Sequence, residues 1–150
     1  MAVNVQFATV ADSISALSIS GVTVKDVDAI ISTYAAAPKT LAPRPDGYIS
    51  NITVTRDSFG TGGAEKLTLS YTLTYRYYHT SLGVQLNFAD FAAMIANIEL
   101  IAEAFITNDA LTGLIDLTLE GIGEVGPVND PSGAMFHGCD FILRITEFPT

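Results

Sequence analysis

The stretch KLTLSYTLTYRYYH, Lys66 to His79, decides the fold, because apolar and polar positions alternate along it almost without error. Leu67, Leu69, Tyr71, Leu73, Tyr75 and Tyr77 hold one parity, and Thr68, Ser70, Thr72, Thr74 and Arg76 hold the other. Successive side chains of a strand point to opposite faces, so this is one long strand with an apolar face and a hydroxyl-rich face. It exceeds the usual length of about five or six residues. Its Thr/Ser ladder holds no catalytic group, which leaves solvent, a ligand or another chain to meet that face.

Working outward, Tyr48 to Asp57 is a second period-2 segment, with Ile52 and Val54 against Asn51, Thr53 and Thr55. The glycine-rich joint SFGTGGA between the two reads as a hairpin loop. Further upstream, Thr9 to Leu17 has Val10, Ile14 and Leu17 at helical spacing and Asp12 in the first turn. Val22 and Val24 give a mixed signal for a short strand. Three prolines and a Pro-Asp-Gly turn make residues 38–47 an extended, ordered connector.

Downstream, Asn87 is a good N-cap with Asp90 three residues on, opening a helix from Phe88 to about Ile106. Phe88, Phe91, Ile95, Ile98, Ala102 and Phe105 form its main apolar stripe, and Ala89, Ala93, Ala96, Leu100 and Ala104 occupy much of the rest. One face is expected to pack on a sheet and the alanine-rich face to meet a subunit. A strand follows from Leu114 to about Glu124, and a last one from Ala134 to Phe148 carries His137, Cys139, Phe141, Leu143 and Ile145 on one parity. The order α-β-β-α-β-β predicts a single α+β domain over 1–150. Its expected form is a mainly antiparallel sheet of about four strands with one long helix packed on it.

Hydrophobic residues make up 49% of the 150 positions, but charged residues only 15%. A free monomer normally covers itself with charge, so part of this surface is expected to be covered by neighbours. From Met1 to Arg76 the acids Asp12, Asp26, Asp28, Asp46, Asp57 and Glu65 balance the bases Lys25, Lys39, Arg44, Arg56, Lys66 and Arg76. From Tyr77 to Leu143 there are nine acids and no Lys or Arg, so the whole net charge of −9 sits there. That half repels a polyphosphate, which argues against sequence-reading nucleic-acid binding but is compatible with DNA sliding past. No apolar run reaches about 18 residues, so no membrane span is expected. The start of the chain lacks the pattern of a signal peptide, and the single Cys139 excludes an internal disulfide and fits a reducing compartment.

Chemistry is sparse. His137 and Cys139 share a strand face and could form a nucleophile and base, although a lone cysteine more often serves as a small buried hydrophobe. His79 lies at a strand end. Asp26 to Asp28 and Asn129 to Gly133 are short acidic turns without the ligand spacing of a calcium loop. Gly60 to Gly63 lacks the Lys-Ser/Thr of a phosphate cradle. Asp116 and Glu120 share a strand face and could act as paired carboxylates, but the chain has no Trp to stack a sugar. The residues therefore call for no cofactor, no metal and no enzymatic role.

The segments DSISALSISGVTVKDVDAI, PKTLAPRPDGYISNITVTRDSFG, KLTLSYTLTYRYYH, NFADFAAMIANIELIAEAF and DPSGAMFHGCDFILRITEF, in this order, resemble the tail terminator, or tail completion, proteins of long-tailed bacteriophages. The resemblance implies an α+β protomer that assembles into a six-membered ring. Such a ring caps the head-proximal end of the tail tube, ends its polymerisation and meets the head–tail connector or stopper. DNA passes through the lumen without specific recognition. It further implies a virion protein assembled in the host cytoplasm, partnered by itself, the major tail tube protein and the connector, with no membrane and no catalytic residues.

Within that picture the hairpin around Phe59, with Arg56, Asp57, Lys66 and Arg76, is the expected contact to tube or connector. Thr68, Ser70, Thr72 and Thr74, with Asp116 and Glu120, are the expected ring or lumen face. Another neck or tail component, such as a head–tail stopper or tube protein, has a similar order of elements. A small hydrolase using Cys139 with His137, or Asp116 with Glu120, is the alternative from a different class.

Overall fold

A computed structural model describes residues 7–26, 36–59, 64–83, 85–112 and 115–148. In chain order the elements are α1 (Phe7–Ser15), β1 (Thr23–Val24), β2 (Thr40–Pro43), β3 (Ile49–Phe59), β4 (Ala64–Ser81), α2 (Phe88–Thr107), β5 (Ala110–Thr112), β6 (Ile115–Ile122), β7 (Gly126–Asn129) and β8 (Met135–Glu147). The alternating stretch lies within the 18-residue β4. One edge of β4 pairs antiparallel with β8 from Leu69↔Glu147 to Ser81↔Phe136. The other edge is shared, with β2 along Tyr75 to Tyr78 and β3 along Ala64 to Leu73. The far edge of β8 is divided in the same way between β6 and β7.

The result is one eight-stranded sheet, made mixed by the parallel pair β1–β2. This overturns the expected sheet of about four strands with one long helix packed on it. Two helices pack on the sheet, since α1 delivers Val10 and Ile14 to the same core as α2. The connector expected over 38–47 is also wrong in part. Thr40 to Pro43 is a fully buried strand between β1 and β4. Proline cannot donate to a ladder, and Pro43 is tolerated because it ends β2 before the chain leaves the sheet at Arg44 to Gly47.

The odd parity of β4 faces the helices, as its composition requires. Tyr71, Leu73, Tyr75 and Tyr77 are at most 2% exposed, and opposite them lie Ile145, Leu143, Phe141 and Cys139 of β8, all buried. Gly138 is fixed by close packing between strands: a Cβ there would run into the Tyr77 carbonyl oxygen, with Val128 3.2 Å away. α2 opens as its sequence dictates, with a capping box in which the Asn87 side chain accepts from the Asp90 N–H at 2.8 Å. Its core contact is Met94, Ile98, Ile101 and Phe105.

Candidate functional site

The β4–β8 ladder ends at Leu69↔Glu147, whereas β3 and β4 go on pairing to Phe59↔Ala64. The hairpin therefore runs past the rest of the sheet as a two-stranded arm. Register assigns its faces. Val54, Arg56 and Leu67 fall on the face continuous with Leu69, while Thr55 with Thr68, and Asp57 opposite Lys66, fall on the other. Residues Asn51 to Arg56 are all exposed, including Ile52 at 54% and Val54 at 58%. A bulge between Ser50 and Thr53, with Asn51 in the left-handed region at φ 54°, marks the arm's base. Asn tolerates that conformation better than most residues.

Arg76 does not belong to this arm. It lies toward the opposite end of β4, where Nε donates to Asp140 Oδ1 at 2.7 Å, Nη2 to Asp140 Oδ2 at 3.1 Å and Nη1 to the Asn129 carbonyl at 3.0 Å. Arg44 adds a looser ion pair to Asp140 at 3.6 Å. A cavity of about 440 Å³ beside Arg76, lined also by Asp46, Asn129, Asp130 and Met135, thus faces a guanidinium engaged on all three nitrogens. Asp130 is likewise spent, accepting from the N–H groups of Ala36, Ser132 and Ala134 and from the Ser132 hydroxyl. Burial works against its charge, but these donors outweigh it and hold its carboxyl below the usual carboxylate range.

The even parity of β4 forms the sheet face opposite the helices. Cross-strand rows run Ser70–Thr146–Asp116 and Thr72–Arg144–Thr118, and the next reaches Thr74 and Ile142. Glu120 meets Arg144 at 3.6 Å. Thr68, Ser70, Thr72, Thr74, Asp116 and Glu120 are thus brought to one side of the sheet. Thr72 at 8% and Thr74 at 3% nonetheless lie too deep between neighbouring strands to be contact surface themselves. Asp116, Thr118, Glu120 and Arg144 provide the exposed part of that face.

α2 departs most from expectation. The stripe expected to be buried includes Phe88, which is 89% exposed, and Phe91, which is 48% exposed. At 100° per residue, the buried row is turned about 60° from the expected stripe. Met94 and Ile101, absent from that stripe, anchor the helix at 2% and 0% exposure. Phe88 and Ile106 are left along one flank with Glu99 and Glu103 beside them, while the half-buried Ile95 on the same side packs against the core. Ile106 is 65% exposed, and Leu100, farther round, is 39% exposed.

Beneath α2 the core holds three separate hydrogen-bonded groups built on tyrosine hydroxyls, with no signal in the alternating pattern. The Tyr48 and Tyr75 hydroxyls are 2.8 Å apart, Asn97 donates to the Tyr77 hydroxyl at 2.9 Å, and that hydroxyl lies 2.7 Å from His79 Nδ1. Tyr71 donates to the buried Glu147 carboxylate. Burial pushes Tyr48 and Tyr77 up to about 12 and Tyr75 higher still, and Tyr71 is raised by burial and by its bond to Glu147. His79 is held below its usual value, first by burial and then by the positive charge of Lys39. Cys139 is 0% exposed and its thiol is pushed up to about 12 by burial. It offers no thiolate to the surface, although His137 does share its parity.

Among the described residues no group of three or more His, Cys, Asp and Glu side chains could hold a metal ion. No helix among them is long and apolar enough to cross a membrane. No protein-family model matches the chain, and no curated protein sequence matches it.

Among the described residues, the surfaces that stand out are the arm, the flank of α2 and the exposed part of the polar sheet face. The structure brings Arg56 onto the arm and removes Arg76 from it; Asp57, Phe59 and Lys66 enter through their backbone register alone. Sequence reasoning missed the exposed flank of α2. The available signal was the long side chains Met94 and Ile101, which define a second apolar row beside the first.

Proposed function

We propose that the chain is a structural subunit that closes into a ring at the head-proximal end of a phage tail tube, ends tube growth and joins the tail to the head connector. The observation that carries this reading is the arm, a two-stranded hairpin running beyond its own sheet, with Val54 and Arg56 exposed. An isolated two-stranded hairpin is marginal in water, and one that leaves its sheet has a partner surface as its natural support. The apolar flank of α2 and the low proportion of charge add further surface that a free monomer would not leave uncovered. Head-to-tail contacts that close produce rings. The acidic stretch from Tyr77 to Leu143 suits a lumen that DNA must traverse without sticking.

The thiol hydrolase reading loses its motivation, because Cys139 is sealed in the core with a raised thiol. The carboxylate version fares no better, since Glu120 is ion-paired to Arg144 rather than poised with Asp116 across a cleft.

The test is negative-stain imaging of the purified chain alone and mixed with polymerising tail tube subunits. Rings alone, and tubes capped and shortened in proportion to added chain, are expected. Unchanged tube lengths, with no density from this chain at either tube end, would sink the reading.

A further inference from the structure

We infer that His79 is a pH-sensitive fastener for the first half of α2: when its ring takes up a proton, the Asn97–Tyr77–His79 bridge that ties this helix to the sheet comes apart and the start of the helix loosens. Asn97 of α2 donates to the Tyr77 hydroxyl of β4 at 2.9 Å, and that hydroxyl lies 2.7 Å from His79 Nδ1. A tyrosine hydroxyl has one hydrogen to give. With Asn97 donating to its oxygen, that hydrogen is satisfied by an unprotonated Nδ1, since the hydroxyl has no other hydrogen-bond partner among the described residues. The neutral ring therefore carries its own hydrogen on Nε2. A proton added at Nδ1 turns the acceptor into a donor. The hydroxyl oxygen then faces two donors, and its hydrogen, on a residue that is 0% exposed, is left without an acceptor.

The start of α2 has little else to hold it. From Phe88 to Ala93 no residue is buried, and Met94 is the first that is. The second half sets Ile98, Ile101 and Phe105 into the core. Segments with few buried contacts open first. The surroundings of the ring also disfavour a charge on it. Burial, the largest influence, acts together with Lys39 just before β2 and His137 of β8 against a positive ring, and Asp90 of α2 favours one. A cavity of about 170 Å³, lined in part by Lys39, His79, Leu86 and Asp90, has room for water at this end of the helix. Release of the helix start hydrates the ring, so the open form binds the proton more tightly and acid draws the equilibrium toward it.

The experiment is hydrogen exchange of the full chain, read peptide by peptide at about pH 7.5 and pH 5.5 and corrected for the intrinsic effect of pH on exchange. Opening of the first half of α2, Phe88 to Asn97, is expected to rise roughly fivefold to tenfold at the lower pH, since a histidine released to water binds its proton near pH 6.5. The half that ends at Thr107 is expected to stay unchanged from Ile101 onward. His79→Gln, which cannot take up the proton, should remove the rise, and His137→Gln should keep it. No rise in the native chain, an equal rise along the whole chain, or a rise that survives His79→Gln overturns the proposal. The ring nitrogen shifts of the native protein give a second reading that needs no variant. At pH 7.5 the hydrogen of neutral His79 is expected on Nε2, and a hydrogen on Nδ1 overturns the proposal, because Tyr77 would then already be accepting from both neighbours.

Discussion

Replacing Ile101 and Phe88 by alanine, one at a time, separates the buried row of α2 from its exposed flank. Ile101 is 0% exposed. Alanine removes its three outer carbons, each contributing about 0.8 kcal/mol of burial, and leaves a cavity that a packed core closes only in part. The expected loss is about 3 to 4 kcal/mol. With a urea slope of about 2 kcal/mol per molar for a domain of this size, the midpoint falls by roughly 1.5 to 2 M. Phe88 is 89% exposed, so Phe88→Ala should leave folding of the separated chain within about 0.5 kcal/mol. Urea unfolding followed by circular dichroism at two protein concentrations, about tenfold apart, distinguishes the two effects. The Ile101→Ala deficit should be the same at both, and any Phe88→Ala deficit should appear only at the higher, assembled concentration. Equal losses for the two variants at the lower concentration would refute the orientation of α2.

The other predictions concern buried groups. Gly138→Ala should cost about 3 kcal/mol or prevent folding, because the added methyl meets backbone rather than a yielding side chain; a fully stable variant by thermal melting would contradict the β4–β8 register there. Tyr48, Tyr71, Tyr75 and Tyr77 bind their protons more tightly folded than unfolded. The stability they contribute is complete below the unfolded value near pH 10 and is lost as pH rises above it, on the order of 4 kcal/mol per pH unit while all four stay protonated. Tyrosinate absorbance should then rise together with unfolding, and a smooth rise in folded protein would argue against the burial of these hydroxyls. His79 has the opposite sign: its folded value is depressed, so its contribution is present above about pH 6.5 and declines as pH falls, an effect that His79→Gln should remove from the acid limb of the urea midpoint profile. Cys139 should react with a thiol reagent only as fast as the protein opens, and stoichiometric labelling within the mixing time would contradict its burial.

The β-strand periodicity was legible because each long strand has one buried and one less apolar face. Tyr71 to Tyr77 on β4 and Cys139 to Ile145 on β8 declare themselves by parity alone. β2 was not legible, since four buried residues among prolines carry no alternation and a proline-rich segment ordinarily reads as a connector. α2 misled for the opposite reason. It is apolar around most of its circumference, so periodicity leaves two adjacent rows open, and only packing on Tyr75, Tyr77 and Phe141 chooses between them. The arm needed register rather than pattern: nothing in the residues of β3 and β4 says that β8 stops opposite Leu69. Arg76 was assigned to the hairpin by sequence proximity, and its true partner, Asp140, lies 64 residues away along the chain.

Native mass spectrometry of the purified chain decides between a closed ring and a monomer. A closed assembly is expected, at about 95 kDa for six copies of 15.9 kDa, whose mass stops growing as concentration rises. A 15.9 kDa species alone at every concentration, or an open series without a terminal mass, would contradict it.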